Sequence, residues 1–453
     1  MLANQIRRRP SADLVKKKPV SSKWHAFIAS WLGETFDAMD ASLYFIAMVP
    51  AVSELLHTHS DTQVGQVGSY VLAFFMLGWF FGALIFGSLA DRIGRRKTMM
   101  ATILIYSIAT GLCALSRNWL EFGICRFIVG AGIGGEICLG TVMVGEFWRG
   151  KGRIWAASML ESSFNVGLLL SAFFNAVLGP YGWRWLFVAG VLPALMTLYL
   201  RSKLTESESF EEVSRHRADL KGRKDLTDKQ KSELEHPFKQ LFATQTRRRT
   251  ITTGLLGMSA IIGYWACVAW IPAWINQLTG NVAIAERSWA TSIFSIGGLL
   301  GCFLTPSICG RIGRKSAMKI GFGGSLLAAI LMFLTVKSFG LPLLVWCFAL
   351  GILTNVQFAA LQIYIPEVFA SSMLASAAGI TFGAGRIFSA VLAICGSQLI
   401  VFYGGSYALA SATLSLVYVL GFVAAFAAEE GSGEVFGLGF EKVAERELAT
   451  SAA

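Results

Sequence analysis

The chain has 453 residues, of which 54% are hydrophobic and only 15% charged, whereas a soluble domain carries about 25% charged residues to wet its surface. Mean hydropathy is +0.57, and apolar runs such as 99–116, 251–275, 317–336 and 404–427 are long enough, at ~1.5 Å per residue, to cross a ~30 Å hydrocarbon layer. These totals exclude a soluble enzyme, and the net charge of +11 speaks for nucleic acid only if the basic residues are not explained otherwise.

In chain order, a basic tail (1–23) precedes expected spans at 24–50, 65–90, 97–116, 119–146, 154–178 and 183–200. A polar loop (201–249) is followed by spans at 250–276, 288–309, 317–336, 341–366, 373–402 and 404–428, and a polar tail (429–453) closes the chain. The expected fold is an all-α membrane protein of twelve transmembrane helices in two six-helix halves, 24–200 and 250–428. With the N-terminus in the cytosol, only Arg117, Arg184, Arg287 and Lys337 fall on outward loops. That bias is the positive-inside rule and sets both termini in the cytosol. It accounts for the basic excess, so the expected partner is a lipid bilayer and not nucleic acid. The apolar stretch after the basic tail is too long for a cleavable signal. The eight cysteines lie in or at the ends of apolar spans without metal-ligand spacing, so neither a disulfide framework nor a metal site is expected.

Ionisable side chains inside a span cost about 3 kcal/mol each on insertion scales, and mark function by default. In the first span Glu34, Asp37 and Asp40 recur every third residue, which sets them within a ~120° arc on one helix face. Asp37 lies ~20 Å along the helix, near the midplane; such a face must line a cavity. The fourth span carries Arg126 and Glu136, with Gly130 and Gly134 in a small-xxx-small pattern that admits a close neighbour. By depth, Arg126 is a partner for Asp40, with Asp37 behind it, and Glu136 is level with Glu34. Acids whose neighbours change with conformation are what proton coupling requires, since desolvation and like charge oppose ionisation and a guanidinium favours it. Glu146 and Glu161 read as mouth residues that pair with Arg149, Lys151 or Arg153.

In the second half Arg386 lies ~20 Å into the eleventh span with no acid in the spans of its own half. A bidentate carboxylate suits a guanidinium, so its expected partner is an anionic substrate or Asp37 across the cavity. Tyr44, Tyr264, Asn355, Gln357 and Gln362 offer hydroxyl and amide groups for the same substrate, while Trp270 and Trp274 read as interfacial anchors. No phosphate-cradling G-x-x-x-x-G-K-[ST] is present, so ATP-driven pumping is not expected.

The string Gly87-Ser-Leu-Ala-Asp91-Arg92-Ile-Gly94-Arg95-Arg96 returns in part as Gly310-Arg311-Ile-Gly313-Arg314-Lys315, the trace of a parallel repeat about the membrane normal. It resembles the signature loop of the major facilitator superfamily, and the resemblance extends over nearly the whole chain. It implies that Gly87, Asp91, Arg92, Gly94 and Arg95 form a gating loop, with Asp91 pairing across the half–half interface. Arg311 and Arg314 are the counterparts in a second copy that has Gly310 where the family often keeps an acid. Asp37-Ala-Met-Asp40 is similar to the D-G-x-D signature of the aromatic acid:proton and sialate:proton symporters, with Ala38 for the usual Gly. Arg126 with Gly-Gly-Glu136, Arg149–Arg153, Trp183-Arg184-Trp185, Thr205-Glu206-Ser207 and Gly383-Ala-Gly385-Arg386 also resemble that branch. The G-P-x-x-G-G bend of the superfamily's proton/drug antiporters is missing from the fifth span.

Together these readings predict a secondary transporter of a bacterial inner membrane, monomeric, taking up a small organic carboxylate with protons by alternating access. Glu34, Asp37, Asp40, Arg126 and Glu136 are the coupling set, and the proton is the coupling ion with no other cofactor. The alternatives are an exporter or facilitator of a neutral or cationic compound, and a sensor or scaffold that reuses the fold.

Overall fold

The structure is a computed structural model that describes residues 23–431, apart from 59, 224, 226–229, 231–233, 269 and 281–283. The expected tails therefore lie, almost entirely at the N-terminus and largely at the C-terminus, outside the described residues. All described elements are helical. The first half comprises α1 (Lys23–Leu56), α2 (Asp61–Ile93), α3 (Arg95–Leu115), α4 (Trp119–Phe147), α5 (Gly150–Leu178) and α6 (Trp183–Ser202). The connecting segment holds α7 (Glu208–Lys221) and α8 (Pro237–Phe242). The second half comprises α9 (Arg247–Val268), α10 (Ile271–Thr279), α11 (Ile284–Ile312), α12 (Arg314–Thr335), α13 (Leu341–Val368), α14 (Leu374–Phe402), α15 (Tyr407–Ser415) and α16 (Val417–Ala427). Ten stretches among the described residues are long and apolar enough to cross a membrane. Helices α6 and α9, at the places of the expected sixth and seventh spans, are not among the ten.

Within the first half α1 packs on α4, α5 and α6, and α3 on α4 and α6. In the second half α9 packs on α14 and α16, α11 on α13, and α12 on α13 and α16. Two seams join the halves: α2 against α14, and α5 against α11 and α13. Lipid tails are as apolar as leucine, so helix association in a bilayer rests on close packing, and glycine supplies it. A Cβ on Gly78 or Gly82 would overlap the α4 carbonyls of Phe127 and Ala131, and one on Gly130 or Gly134 would overlap the α2 carbonyls of Phe75 and Trp79. The expected small-residue face of α4 thus meets an equal one on α2. Gly297 and Gly351 repeat the arrangement between α11 and α13.

The repeated basic strings are tight turns. Gly94 (φ 108°) and Gly313 (φ 85°) hold a backbone that L-residues rarely adopt, and each hands one helix to the next. Two expected placements change. Trp274 is not an interfacial anchor: it is 2% exposed and packs on Phe333 with ring centroids 4.9 Å apart. Helix α5 starts at Gly150, four residues before the expected span, which carries Glu161 deeper into the bundle.

Candidate functional site

The acids of α1 are divided between two layers by what faces them. Asp40 Oδ2 accepts from Thr110 at 3.1 Å and lies 3.4 Å from Arg126 Nη1, both side chains being buried. The Arg126 guanidinium also sits 4.6 Å from the centroid of Phe75 and 5.5 Å from that of Tyr44, inside an aromatic cage that fixes its direction. Tyr44 itself donates to the Gly68 carbonyl at 2.6 Å.

The inner layer has a member that the sequence reading places in the loop. Arg201, at the end of α6, is 1% exposed and turns inward to pair with Glu136, which also accepts from Thr102. Gly33 provides the notch, since a Cβ there would overlap the Arg201 guanidinium. Glu34 Oε2 accepts from Ser163 at 3.1 Å, and a Cβ on Gly140 would overlap its other oxygen. Ala38, where the resembling signature has Gly, is received by Gly167, whose Cβ would stand 2.6 Å from that of Ala38.

Between these layers lies a cavity lined by Glu34, Asp37, Glu161, Gln362, Trp79 and Phe164. Its space for water is about 30 Å³, enough for about two molecules and too small for a metabolite. Asp37 is 2% exposed, and neither of its carboxylate oxygens has a hydrogen-bond partner among the described residues. Glu161 does not pair with Arg149, Lys151 or Arg153: its carboxylate accepts from Gln362 Nε2 at 3.3 Å, and Gln362 in turn accepts from Thr141. One α13 side chain therefore ties α4 and α5 of the other half at the cavity wall.

Arg386 of α14 stands over the face of Trp79 at 3.5 Å from the ring centroid, with Trp265 at 5.9 Å. Buried Arg95, Arg126, Arg153 and Arg201 each meet a carboxylate. Arg386 makes no ion pair among the described residues, and its Nε and Nη1 have no hydrogen-bond partner there. Of the amides expected around it, Gln362 lines the cavity. Asn355 accepts from Asn165 across the seam at 2.8 Å, and buried Tyr264 packs on Phe164. Gln357 is turned away toward α12, where a Cβ on Gly321 would stand 2.8 Å from its own, and Tyr44 stays with Arg126 in the first half.

The residues of the expected gating loop lie where the halves meet, on the face that carries the basic turns. Asp91 accepts from Ala375 N at 3.2 Å and from Ser376 N and Oγ at 2.8 Å each. It caps the start of α14, whose free amides and dipole favour an anion; its cross-half partner is this helix end, and the guanidinium beside its carboxylate, Arg95 at 3.4 Å, lies in its own half, while Arg217 donates to its backbone carbonyl at 2.9 Å. A Cβ on Gly87 would come within 2.7 Å of the Ala375 carbonyl. Arg95 donates to Glu146 at 2.9 Å and to the Ser371 carbonyl at 2.6 Å, which corrects the expected partners of Glu146. In the second copy Arg314 pairs with Glu367 at 2.9 Å, and Arg153 reaches the same carboxylate from the first half at 2.5 Å. The turns are capped alike: Glu206 accepts from Arg95 N at 2.7 Å, and Glu430 from Arg314 N at 3.0 Å. Arg92 and Arg311 are exposed. Burial pushes the Glu206 carboxyl above its ordinary range, against the pull of the Arg95 and Arg96 amides and the Arg95 guanidinium.

Two helical bundles of membrane-crossing length, joined along two seams with a charged cavity beside them, have the architecture of a multi-pass membrane transporter. The chain belongs to the Major Facilitator Superfamily, whose family profile matches residues 30–336. Among its relatives are proteins named as transporters of niacin and of sialic acid. It is 29% identical over 378 residues to a putative niacin/nicotinamide transporter of Bacillus subtilis, covering 82% of this chain and 87% of that one. It is 26% identical over 404 residues to a sialic acid transporter of Escherichia coli, covering 88% and 93%. The fold is that of a proton:xylose symporter solved with a bromodeoxyglucose, at a TM-score of 0.75 and 17% identity over 91% of this chain and 97% of that one.

Proposed function

We propose that this protein is a proton-coupled symporter that takes up a small organic monocarboxylate across a bacterial inner membrane. In this reading α6 and α9–α10 complete twelve spans, both termini are cytosolic, and the structure is closed toward the cytosol. One observation carries it: Arg386 is buried without an acid partner beside a cavity into which Asp37 presents an equally unpartnered carboxyl. A buried guanidinium is stable only with a counter-ion, and an incoming carboxylate supplies one in the bidentate geometry it favours. Asp37 takes and releases the proton, while Asp40 and Glu136 are held by Arg126 and Arg201. The relatives' names, niacin and sialic acid transporters, support an organic acid.

Proteoliposomes given an inward pH gradient test this directly. Nicotinate or N-acetylneuraminate should accumulate and alkalinise the outside. Asp37→Asn should abolish gradient-driven accumulation and keep substrate exchange between the two sides; unchanged pH-driven uptake by that variant would overturn the coupling role. The acid surplus of the cavity favours a second reading, a facilitator of a neutral or cationic compound. That reading predicts uptake with no change in external pH.

A further inference from the structure

Five carboxyls and three guanidiniums stand in the bundle around the cavity. Asp40 with Arg126 and Glu136 with Arg201 compensate each other. That leaves Glu34, Asp37 and Glu161 against Arg386, an excess of two negative charges. Glu34 and Asp37 are 7% and 2% exposed, and Glu161, half-buried, lines the cavity beside them. The groups that face Asp37 are Glu34, Asp40, Glu136, Arg201 and Tyr106. Those that face Glu161 are Gln362, Arg386, Tyr264, Cys302 and Glu34. None is a further cation beyond those already counted. An ion withdrawn from water without a counter-charge is strongly disfavoured, and a carrier passes through a state in which its cavity is shut on both sides.

We infer that the closed, empty carrier holds two resident protons on this trio, one shared by Glu34 and Asp37 and one on Glu161, so that a monoanion on Arg386 brings in one further proton and its transport is electroneutral. The balance is direct. Empty, three carboxyls with two protons and one guanidinium sum to zero. Loaded, the substrate cancels Arg386 and the third carboxyl must also be protonated. One proton therefore enters with each monoanion, two protons stay behind on the returning carrier, and the number moved follows the charge of the substrate. Glu161 thus becomes a proton site, tied through Gln362 to the opposite half. The transport consequence rests on the symport reading above; the resident protons do not.

Infrared absorption of the purified, substrate-free protein at neutral pH tests the resident protons. Protonated carboxyls have a carbonyl band that carboxylates lack. Asp37→Asn and Glu161→Gln should each remove about half of the cavity contribution, and the double variant all of it. A wild-type spectrum without the band, or a band that neither variant reduces, overturns the inference, and the wild-type measurement holds even if a variant does not fold. For the transport consequence, nicotinate and benzoate serve as monoanion probes in proteoliposomes. A pH gradient should drive accumulation, with one proton entering per molecule, and an imposed membrane potential alone should change the initial rate less than twofold. Potential-driven accumulation sinks the electroneutral cycle. Uptake without any proton flux sinks the symport reading instead and leaves the infrared result to decide the resident protons.

Discussion

Arg386 and Arg201 show how differently two buried guanidiniums can be held. Arg386 rests on an aromatic face, and a planar, delocalised cation is suited to that seat in a way an ammonium is not. Arg386→Lys keeps the charge and loses the stacked fork, so nicotinate affinity should fall at least tenfold in a binding assay while the melting temperature stays near wild type. An unchanged affinity would remove Arg386 from the substrate site. Arg201 instead depends on the absence of a side chain at Gly33. Gly33→Ala should push the guanidinium off Glu136 and leave an uncompensated buried carboxylate, at a cost of about 3 kcal/mol, read as reduced resistance to denaturation in detergent. The pairing of Asp40 with Arg126 follows from depth counting along two helices that run in opposite directions, which is why it is legible in the sequence. Arg201 is not, because an arginine at a helix end reads as a topology signal; its long stem reaches back to Glu136 through a notch one residue wide. Gly33 beside an acid in a span was the one signal available.

At the level of elements, boundaries decide which residues are recognised. A helix beginning at Gly150 puts Glu161 ~16 Å from its start, at the cavity; a start at residue 154 puts it near the mouth, where basic neighbours look like natural partners. The helices themselves and the α2–α4 approach are legible because long apolar runs and glycine spacing are local properties. The capping of α14 by Asp91 is not, since it joins residues nearly 300 positions apart, |i−j| being 285 for Ser376. The connecting segment supplies a titrating contact. His236 Nε2 lies 3.4 Å from Ser88 Oγ on α2, and partial burial, with Arg92 and Lys239 nearby, lowers its proton affinity below the ordinary value of 6.5. The folded state thus prefers the neutral ring, so this contact contributes fully above pH ~6.5 and is lost as pH falls through that value and then the depressed one. Hydrogen-exchange protection in α8, taken relative to the intrinsic exchange rate at each pH, should fall on acidification from pH 7.5 to 5.5, and His236→Gln should flatten that dependence. A fall of equal size in the variant would assign the effect elsewhere.

For the whole molecule, glycine-to-carbonyl contacts lock each half internally and also line the α2–α14 seam at Gly87 and Gly379, while charged side chains join the halves through Asp91 at that seam and Arg153–Glu367 at the other. Motion between access states is expected along those seams, with the bundles kept intact. Asp91→Ala removes three acceptor contacts from the start of α14 and should shift the population away from the closed face. Spin labels on either side of the α2–α14 seam should then show a longer, broader distance distribution. An unaltered distribution would mean that Arg153–Glu367 suffices to hold this face shut.

Gly379 gives this architecture a practical use. It sits on α14 where any Cβ would overlap the Ala83 carbonyl of α2, so the shut conformer has no room there for a bulkier residue. Tryptophan at this position acts as a doorstop, two turns of α14 before Arg386. In the proposed cycle, a protein wedged in this way should populate the opposite access state, in which ligand affinity can be measured without interference from turnover.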